Sequence, residues 1–428
     1  MERSRLQHRL QWGFILGVFV FVLSKAALAP FTHDESFSFN ASVPHRWMEL
    51  LSYADHFSNN HILNSLGMKA TYLLFGPHAL SLRLPNVIAF LIMAWSLFQL
   101  IRNWHAPLAW AALLALAGNE YLLHFFAMAR GYGLSIAFML LALHFWVKAV
   151  TTKRSWIWAF HGASLLACLS SFTMLQFYLC ALVADSLWFG LRYRAYPEMR
   201  ARNWFMPLFL GLIPVVLVMY EPVRQLLKYN ALDFGGQRGF WNDTLHALTY
   251  VFKYHLNWSD TAIEAWTAFM VLICGIQGMY VLRCLWKNSF QKLLDHPVWL
   301  LSFLLFVGIS LSSVLQHYIL GTSYLIGRFA AFLFPLWILS TLGFFQILAQ
   351  EFRVFRLASP IIPILLCMQI ALVIPRVNFW VFDEWEYDRN TSEALQAALH
   401  IHHATRNSNT PIRLGAHWLF EPSLNYYR

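Results

Sequence analysis

A few ionisable side chains in this chain are placed where they could hold a phosphate and move a proton. Asp34 and Glu35, in the triplet His33-Asp34-Glu35, come directly after the first apolar run. A carboxylate at a membrane boundary is costly and is kept mainly where it acts; held there, it can take the proton of an acceptor hydroxyl. The alternative is a solvated or helix-capping acid. Arg130, in Ala129-Arg130-Gly131-Tyr132, and Arg328, in Gly327-Arg328-Phe329, carry planar guanidinium forks suited to phosphate. Their alternative is a snorkelling anchor with its stem in lipid. Asn60 and His61, in Asn59-Asn60-His61, are candidate substrate contacts, and His61 could join His33 and Asp34 around a divalent ion such as zinc or manganese. The spacing is not strict, so metal dependence stays open. Lys69 and Arg83 are further cationic candidates, with Arg83 read rather as an anchor from the first loop to the second span. Glu120 and His124 stand one helical turn apart, where they could hold a metal or orient Arg130; a buried hydrogen-bonded pair is the preferred reading.

The elements that must position these residues are membrane helices. Of the 428 residues, 58% are hydrophobic and only 12% charged, and the mean hydropathy is +0.49. Soluble domains carry about 25% charged residues. Apolar runs long enough to span a hydrocarbon core recur along the whole chain, and they are continuous rather than alternating, which argues against a β-barrel. Eleven spans are expected, over 12–30, 79–101, 107–125, 131–150, 156–172, 174–191, 204–221, 262–282, 297–316, 330–349 and 360–376. Arg3, Arg5 and Arg9 before the first run, with the small residues 26–29 at its end, resemble a secretory signal. The many later spans favour an uncleaved first helix.

The net charge of +10 comes from Lys and Arg in short clusters between apolar runs. That is the positive-inside pattern rather than a nucleic-acid surface; some of it can also meet anionic lipid. The clusters around Arg9, Arg102, Lys148/Arg154, Arg192–Arg202, Arg283–Lys292 and Arg353/Arg356 define a cytoplasmic side. Most acids, including Asp34, Glu35, Asp55, Asp233, Asp243, Asp260 and the run Asp383-Glu384-Trp385-Glu386, fall on the other side. An odd number of spans puts the N-terminus inside and the C-terminus outside, as in a bacterial inner or plasma membrane protein. Three external segments follow. Residues 31–78 hold two short apolar stretches, Trp47–Leu51 and Leu63–Leu74, expected to lie in the interface. Residues 222–261 carry a glycine-rich bend at 235–239 and belt aromatics. The tail, 377–428, is expected to form a helix from Thr391 to His402 and a short strand at 412–414, a small or incomplete external α/β segment. Residues 1–376 make up the transmembrane module. The five cysteines show no CxxC spacing and read as small hydrophobes.

The order of these features resembles the C-type (GT-C) membrane glycosyltransferases. An acidic Asp34-Glu35 pair follows the first span, an Asn60-His61 element comes later in the same loop, and Gly76-Pro77 and Arg83-Leu84-Pro85 enter the second span. The branch it is most similar to contains the dolichyl-phosphate-mannose–protein mannosyltransferases and the lipid A aminoarabinose transferase. Arg130-Gly131-Tyr132 is similar to the Arg-x-Tyr at the head of a span in that family, and Arg328-Phe329 with Pro335 to its Arg-Tyr-x5-Pro pattern. Two departures stand out: Phe329 replaces the tyrosine, and His61 is followed by Ile62-Leu63 where many relatives have His-Pro-Pro. The resemblance implies an all-α GT-C-like bundle and an inverting transfer of a sugar from a polyprenyl-phosphate donor to an envelope lipid, glycan or protein. It implies Asp34 as the base, with Glu35 beside it, and Arg130, Tyr132 and Arg328 at the lipid phosphate.

Other classes are less well served. The sequence has no Walker motif, GxGxxG fingerprint, GxSxG elbow or HExxH, so no soluble nucleotide-sugar module is expected. A transporter or flippase of a lipid-linked sugar is the rival reading. It would use the same cations without a base, but inverted repeats and broken midplane helices are not legible here.

Overall fold

The computed structural model describes residues 2–53, 60–196, 198, 200–229, 235–405 and 414–428. Asp55, Asn59, Asp233, Ile412 and Arg413 lie outside the described residues. The chain folds as helices joined by short turns: α1 (Glu2–Leu28), α2 (His33–Ser42), α3 (Trp47–Leu51), α4 (Ile62–Phe75), α5 (Ala79–Ile101), α6 (Ala106–Ala117), α7 (Glu120–Ala127), α8 (Gly131–Thr151), α9 (Ile157–Ser170), α10 (Met174–Ala195) and α11 (Ala201–Lys228). There follow α12 (His246–Lys253), α13 (Asp260–Trp286), α14 (Phe290–Leu294), α15 (Pro297–Leu320), α16 (Leu333–Glu351), α17 (Arg353–Ala358), α18 (Ile361–Val373), α19 (Thr391–Thr405) and α20 (Glu421–Tyr427).

Nine helices among the described residues are long and apolar enough to cross a bilayer, or ten if α6 and α7, bent by 52°, are one span. This is a polytopic all-α integral membrane protein. The expectation of eleven full-length spans is corrected at 156–172. Ser171 is extended, with φ −159° and ψ 132°, and stops α9 after 14 residues. At 1.5 Å per residue that is roughly 21 Å, short of the ~30 Å hydrocarbon core. Even so, α9 runs antiparallel to α8. The short turn 154–156 that leads into it meets the end of α8, where Lys148 Nζ lies 4.1 Å from the Trp156 ring centroid. The last residue of α9 meets the start of α8, because a Cβ on Gly131 would come within 2.0 Å of the Ser170 carbonyl oxygen.

Local chemistry sets the helix ends. Thr32 caps α2 in a capping box with Glu35. Asn119 caps α7 by accepting from Leu122 N at 3.1 Å, and Ser259 caps α13. Gly321 closes α15 in the left-handed conformation. α11 runs to Lys228, seven residues past the end expected from sequence. Glu221 accepts from Arg224 and Gln225 one turn on, so the charges at 221–225 are satisfied on the helix surface instead of ending it.

Burial grades across the bundle. In the spanning window of α16, 83% of residues are buried, against 11% for Arg353–Arg376. The first therefore runs through the core and the second along its rim. The end of the bundle holding Arg130 and Arg328 is called the site end here. At the opposite end Asp185 is buried and accepts from Trp146 Nε1 and Trp204 Nε1, both at 2.8 Å, and from both Nη atoms of Arg154. The tail crosses to the site end and docks on α2. Phe31 N donates to Tyr427 Oη at 2.7 Å, Asn40 Nδ2 to the Pro422 carbonyl at 2.9 Å, and the Tyr426 ring stacks on Phe31 at 4.2 Å. The expected helix of the tail is present as α19. The expected strand falls largely outside the described residues, and no strand forms among the described residues of the tail.

Candidate functional site

α2 begins immediately after α1 because Thr32 caps it, and this turns Asp34 and Glu35 into its first turn. The two carboxylates then part company. Glu35 is fully buried. Its Oε1 accepts from Arg83 Nε at 2.7 Å and Ala129 N at 2.6 Å. Its Oε2 accepts from Arg83 Nη2 at 2.7 Å and from Thr32 N and Oγ1, both at 3.0 Å. Arg83 spends its remaining donors on the carbonyls of Ala26, Ala29 and Pro30. In this geometry Glu35, expected beside Asp34, faces Arg83 instead, and Arg83, read as an anchor from the first loop to the second span, contacts that loop. Every lone pair and N–H they have is turned inward, so the pair rivets α1, α2, α5 and the turn before Arg130 together.

Asp34 faces the other way, toward two arginines. Its Oδ2 lies 3.0 Å from Arg328 Nη2 and 3.8 Å from Arg130 Nη2. Arg130, fully buried, also donates from Nη1 to Ser38 Oγ at 3.0 Å and to the Asp34 carbonyl at 3.3 Å. The Tyr132 ring lies between the guanidiniums, with each Cζ 5.7 Å from its centroid. Arg328 keeps 26% of its side chain exposed and is the arginine that an incoming anion can reach. Asp34, Arg130, Tyr132 and Arg328, nearly three hundred positions apart at their extremes, thus meet at one end of the bundle.

His61 and Asn60 pack beneath this cluster. The His61 ring meets Tyr132 edge-on at 4.9 Å. Burial holds its imidazole well below the usual histidine range, and the charges of Arg130 and Arg328 push it further down against a weaker hydrogen bond to Ser170. His61 is therefore a neutral ring that adds no positive charge. Gly131 is required at this spot, because a Cβ there would also fall 2.5 Å from His61 Cγ. Asn60 Oδ1 accepts from Ser65 Oγ at 2.9 Å. His33 turns away to the tail, where its Nδ1 meets the Leu419 carbonyl at 2.6 Å and its backbone N–H donates to Asp388. The grouping of His33, Asp34 and His61, left open for a divalent ion, does not form among the described residues. Lys69, expected to contact substrate, instead donates to the carbonyls of Val43 and His45 at 2.7 and 2.6 Å. It ties α4 to the turn after α2.

Sequence reasoning missed the tail's share of this site. Trp385 is buried with its ring centroid 5.1 Å from Arg328 Cζ. Beside it, desolvation raises the Glu384 carboxyl, with the Arg328 charge and a hydrogen bond from Tyr121 opposing that shift. The acidic run 383–386 was visible in the sequence, but nothing there tied it to Arg328. Ser38 was detectable in principle, since it stands one helical turn after Asp34. The bend at 235–239 is also a wall of the site end. Gly236 and Tyr324 exchange backbone hydrogen bonds at 2.8 and 3.0 Å just before Arg328.

No known family model matches the chain, and no curated protein matches it. Two solved structures are similar over 98% of this chain, both of ArnT from Cupriavidus metallidurans. One is the apo state (14% identity, TM-score 0.45, covering 73% of that chain) and the other is bound to undecaprenyl phosphate (14% identity, TM-score 0.43, covering 74%).

Proposed function

We propose that this protein is an inverting membrane glycosyltransferase of the GT-C type, moving a sugar from a polyprenyl-phosphate donor to an acceptor of the cell envelope. The observation that carries the reading is one carboxylate, Asp34, shared by two guanidiniums at the end of a helix bundle. Among the described residues both guanidiniums lie within 4 Å of the Asp34 carboxylate, and Arg328 keeps an exposed edge. Such a site favours an added anion. The motif resemblance at 34–35, 130–132 and 328–335 points to the same chemistry.

In this reading the donor phosphate binds the exposed edge of Arg328 and draws it from Asp34. Asp34 then accepts the proton of the acceptor hydroxyl as that oxygen attacks the anomeric carbon from the face opposite the phosphate. The bond from the anomeric carbon to the phosphate oxygen breaks, and its electron pair leaves on the lipid phosphate, where Arg328 and Arg130 stabilise it. Arg130, fully buried, chiefly holds Asp34 in place. The site end is assigned to the outer face, because Arg154, Arg192 and Lys292 cluster at the other end. Residues 1–376 form the catalytic membrane module, and the tail completes its wall.

The test is sugar transfer and lipid-phosphate binding by purified Asp34→Asn and Arg328→Lys. Asp34→Asn keeps the shape but not the proton acceptor. Transfer should fall roughly 100- to 10,000-fold while phosphate binding persists. Arg328→Lys should weaken binding, because the fork is lost while a charge remains. Near-normal transfer by Asp34→Asn would remove the base. Phosphate binding by the parent protein without transfer to any acceptor would favour a transporter.

A further inference from the structure

The end of the bundle opposite the Asp34 site holds a cavity of about 470 Å³ with a largely polar rim. α5, α8 and α16 end at it, and α15 begins at it. Its inner wall is aromatic. A Cβ on Gly343 of α16 would stand 2.9 Å from Trp299 Cβ and 3.6 Å from Trp104 Cζ2, so these two lining residues pack directly on α16. The cavity also reaches inward along α8 to His144. That residue stands about two turns before the end of the helix, or roughly 10 Å at 1.5 Å per residue.

Positive-inside placement accounts for cations at this end, but not for how they are engaged. Arg154 pairs with Asp185 at 2.6 Å, and Lys292 meets Glu351 at 3.4 Å. Arg102 and Lys148 line the cavity and pair with no acid among the described residues. Lys148 Nζ lies 4.1 Å from the Trp156 ring centroid, a contact that leaves ammonium N–H groups to spare. His144 is buried with its ring edge-on to Trp95 at 5.1 Å, and its Nε2 has no hydrogen-bond partner among the described residues. Buried polar atoms are normally paired, and an imidazole donates from either nitrogen according to its tautomer. Gln346 Oε1 accepts from His105 N at 2.8 Å, which orients the amide and leaves its NH₂ group without a protein acceptor among the described residues. The acid of the lining, Asp295, is exposed, and its Oδ1 accepts from Gln291 at 2.7 Å. The carbonyl ends of three helices oppose an anion with partial charges of about half a unit each, offset in part by the start of α15 and screened by solvent. Contact with Arg102 and Lys148 instead gives full charge-assisted hydrogen bonds.

We propose that this cavity binds a phosphate monoester, presented by an anionic lipid of the adjoining leaflet or free in solution. A phosphate carries three acceptor oxygens. It can therefore meet the Arg102 fork, the Lys148 ammonium and the His144 ring from different sides, where a carboxylate has only two oxygens to share. Basic pockets between membrane helices on the cytoplasmic side are recurrent seats of phosphate-bearing lipid heads. The bound group ties together the ends of α5, α8, α15 and α16, far from Asp34. The inference does not rest on the transferase reading, which concerns the other end of the bundle.

The experiment uses the full-length protein in detergent, with Arg328→Gln as the background so that the phosphate-binding arginine of the other end does not contribute. The probes are inorganic phosphate and a short-chain phosphatidic acid, with phosphatidylcholine as the control. Native mass spectrometry counts bound lipid, and the rise of Tm with concentration gives the affinity for each probe. The expected result is saturable binding of a phosphate probe, with no matching effect of phosphatidylcholine. Arg102→Gln and Lys148→Gln should each weaken that binding by roughly tenfold or more. His144→Phe keeps a buried ring but removes both nitrogens, and it should weaken binding as well. Arg102 is exposed, so its loss does not threaten the fold, and the test stands even where the His144 variant fails to fold. Saturation by phosphatidic acid alone assigns the site to a lipid head, and saturation by inorganic phosphate alone assigns it to a soluble phosphate. Three results would overturn the site: binding of neither phosphate probe, equal binding of phosphatidylcholine and phosphatidic acid, or affinity unchanged when Arg102→Gln and Lys148→Gln are combined.

Discussion

Arg328 sits between a carboxylate and an indole. Asp34 fixes one edge of its guanidinium and the Trp385 ring supports its face. A cation–π contact of this kind contributes about 0.5–2 kcal/mol. Trp385→Ala should therefore leave the fold intact and weaken lipid-phosphate binding by a few-fold up to roughly 30-fold. Titration of donor binding measures this, and unchanged affinity would show that Trp385 only fills space. Glu384 gives a pH-dependent prediction. Its folded value is raised above that of an ordinary glutamate by desolvation beside Arg328 and Tyr121, and because the residue keeps solvent exposure the effect is small. The stability it allows is therefore complete below the ordinary glutamate value, about 4.3, and is lost as pH rises through the folded value. Glu384→Gln does not ionise, so it should gain Tm relative to the parent as pH is raised from about 4 to 8. A Tm difference that is flat across that range contradicts the assignment.

At the scale of elements, the Glu35–Arg83 pair joins α2 to α5 and reaches the turn that carries Arg130. Breaking a fully buried pair by removing one partner typically costs 3–5 kcal/mol, because the other charge is left unpaired. Arg83→Met should thus lower stability by about that amount, and adding Glu35→Leu should recover part of the loss. Thermal unfolding in detergent compares the single and double variants; equal losses in both would mean that no pairing energy is involved. Gly131 governs a second junction. Gly131→Ala pushes a methyl against the Ser170 carbonyl and the His61 ring. The expected outcome is loss of monodisperse protein, because neither the backbone of α9 nor a buried ring can move aside cheaply.

Across the whole molecule, described residues of the tail pack on the start of the first loop. Tyr426, Tyr427 and Leu419 contact Phe31 and His33, and Asp388 accepts from the His33 backbone. The tail therefore lies on the same face of the membrane as Asp34. In the proposed orientation that face is the outer one. A reporter that is active only outside the cytoplasm, fused after Arg428, should be active, whereas activity of a cytoplasm-only reporter at that position would reverse the orientation.

Composition alone determined that the chain is a helical membrane protein, because apolar runs of about 20 residues have few other stable folds in lipid. Local spacing located Asp34, Arg130 and Arg328 as residues worth explaining, because a charge next to a span stands out against an apolar background. Spacing could not separate Asp34 from Glu35. They are neighbours in sequence, yet helix geometry points one at Arg328 and the other at Arg83. Nor could it show that Lys69 is an anchor, since a buried cation and a substrate-facing cation look alike until their acceptors are known. The shortness of α9 was hidden because hydropathy reads through Ser170-Ser171 without registering a break in the backbone. Only the tertiary structure brought Trp385, Glu384 and Asp383 to Arg328, Tyr121 and Glu120, because contacts between segments distant in the chain leave no periodic trace in it.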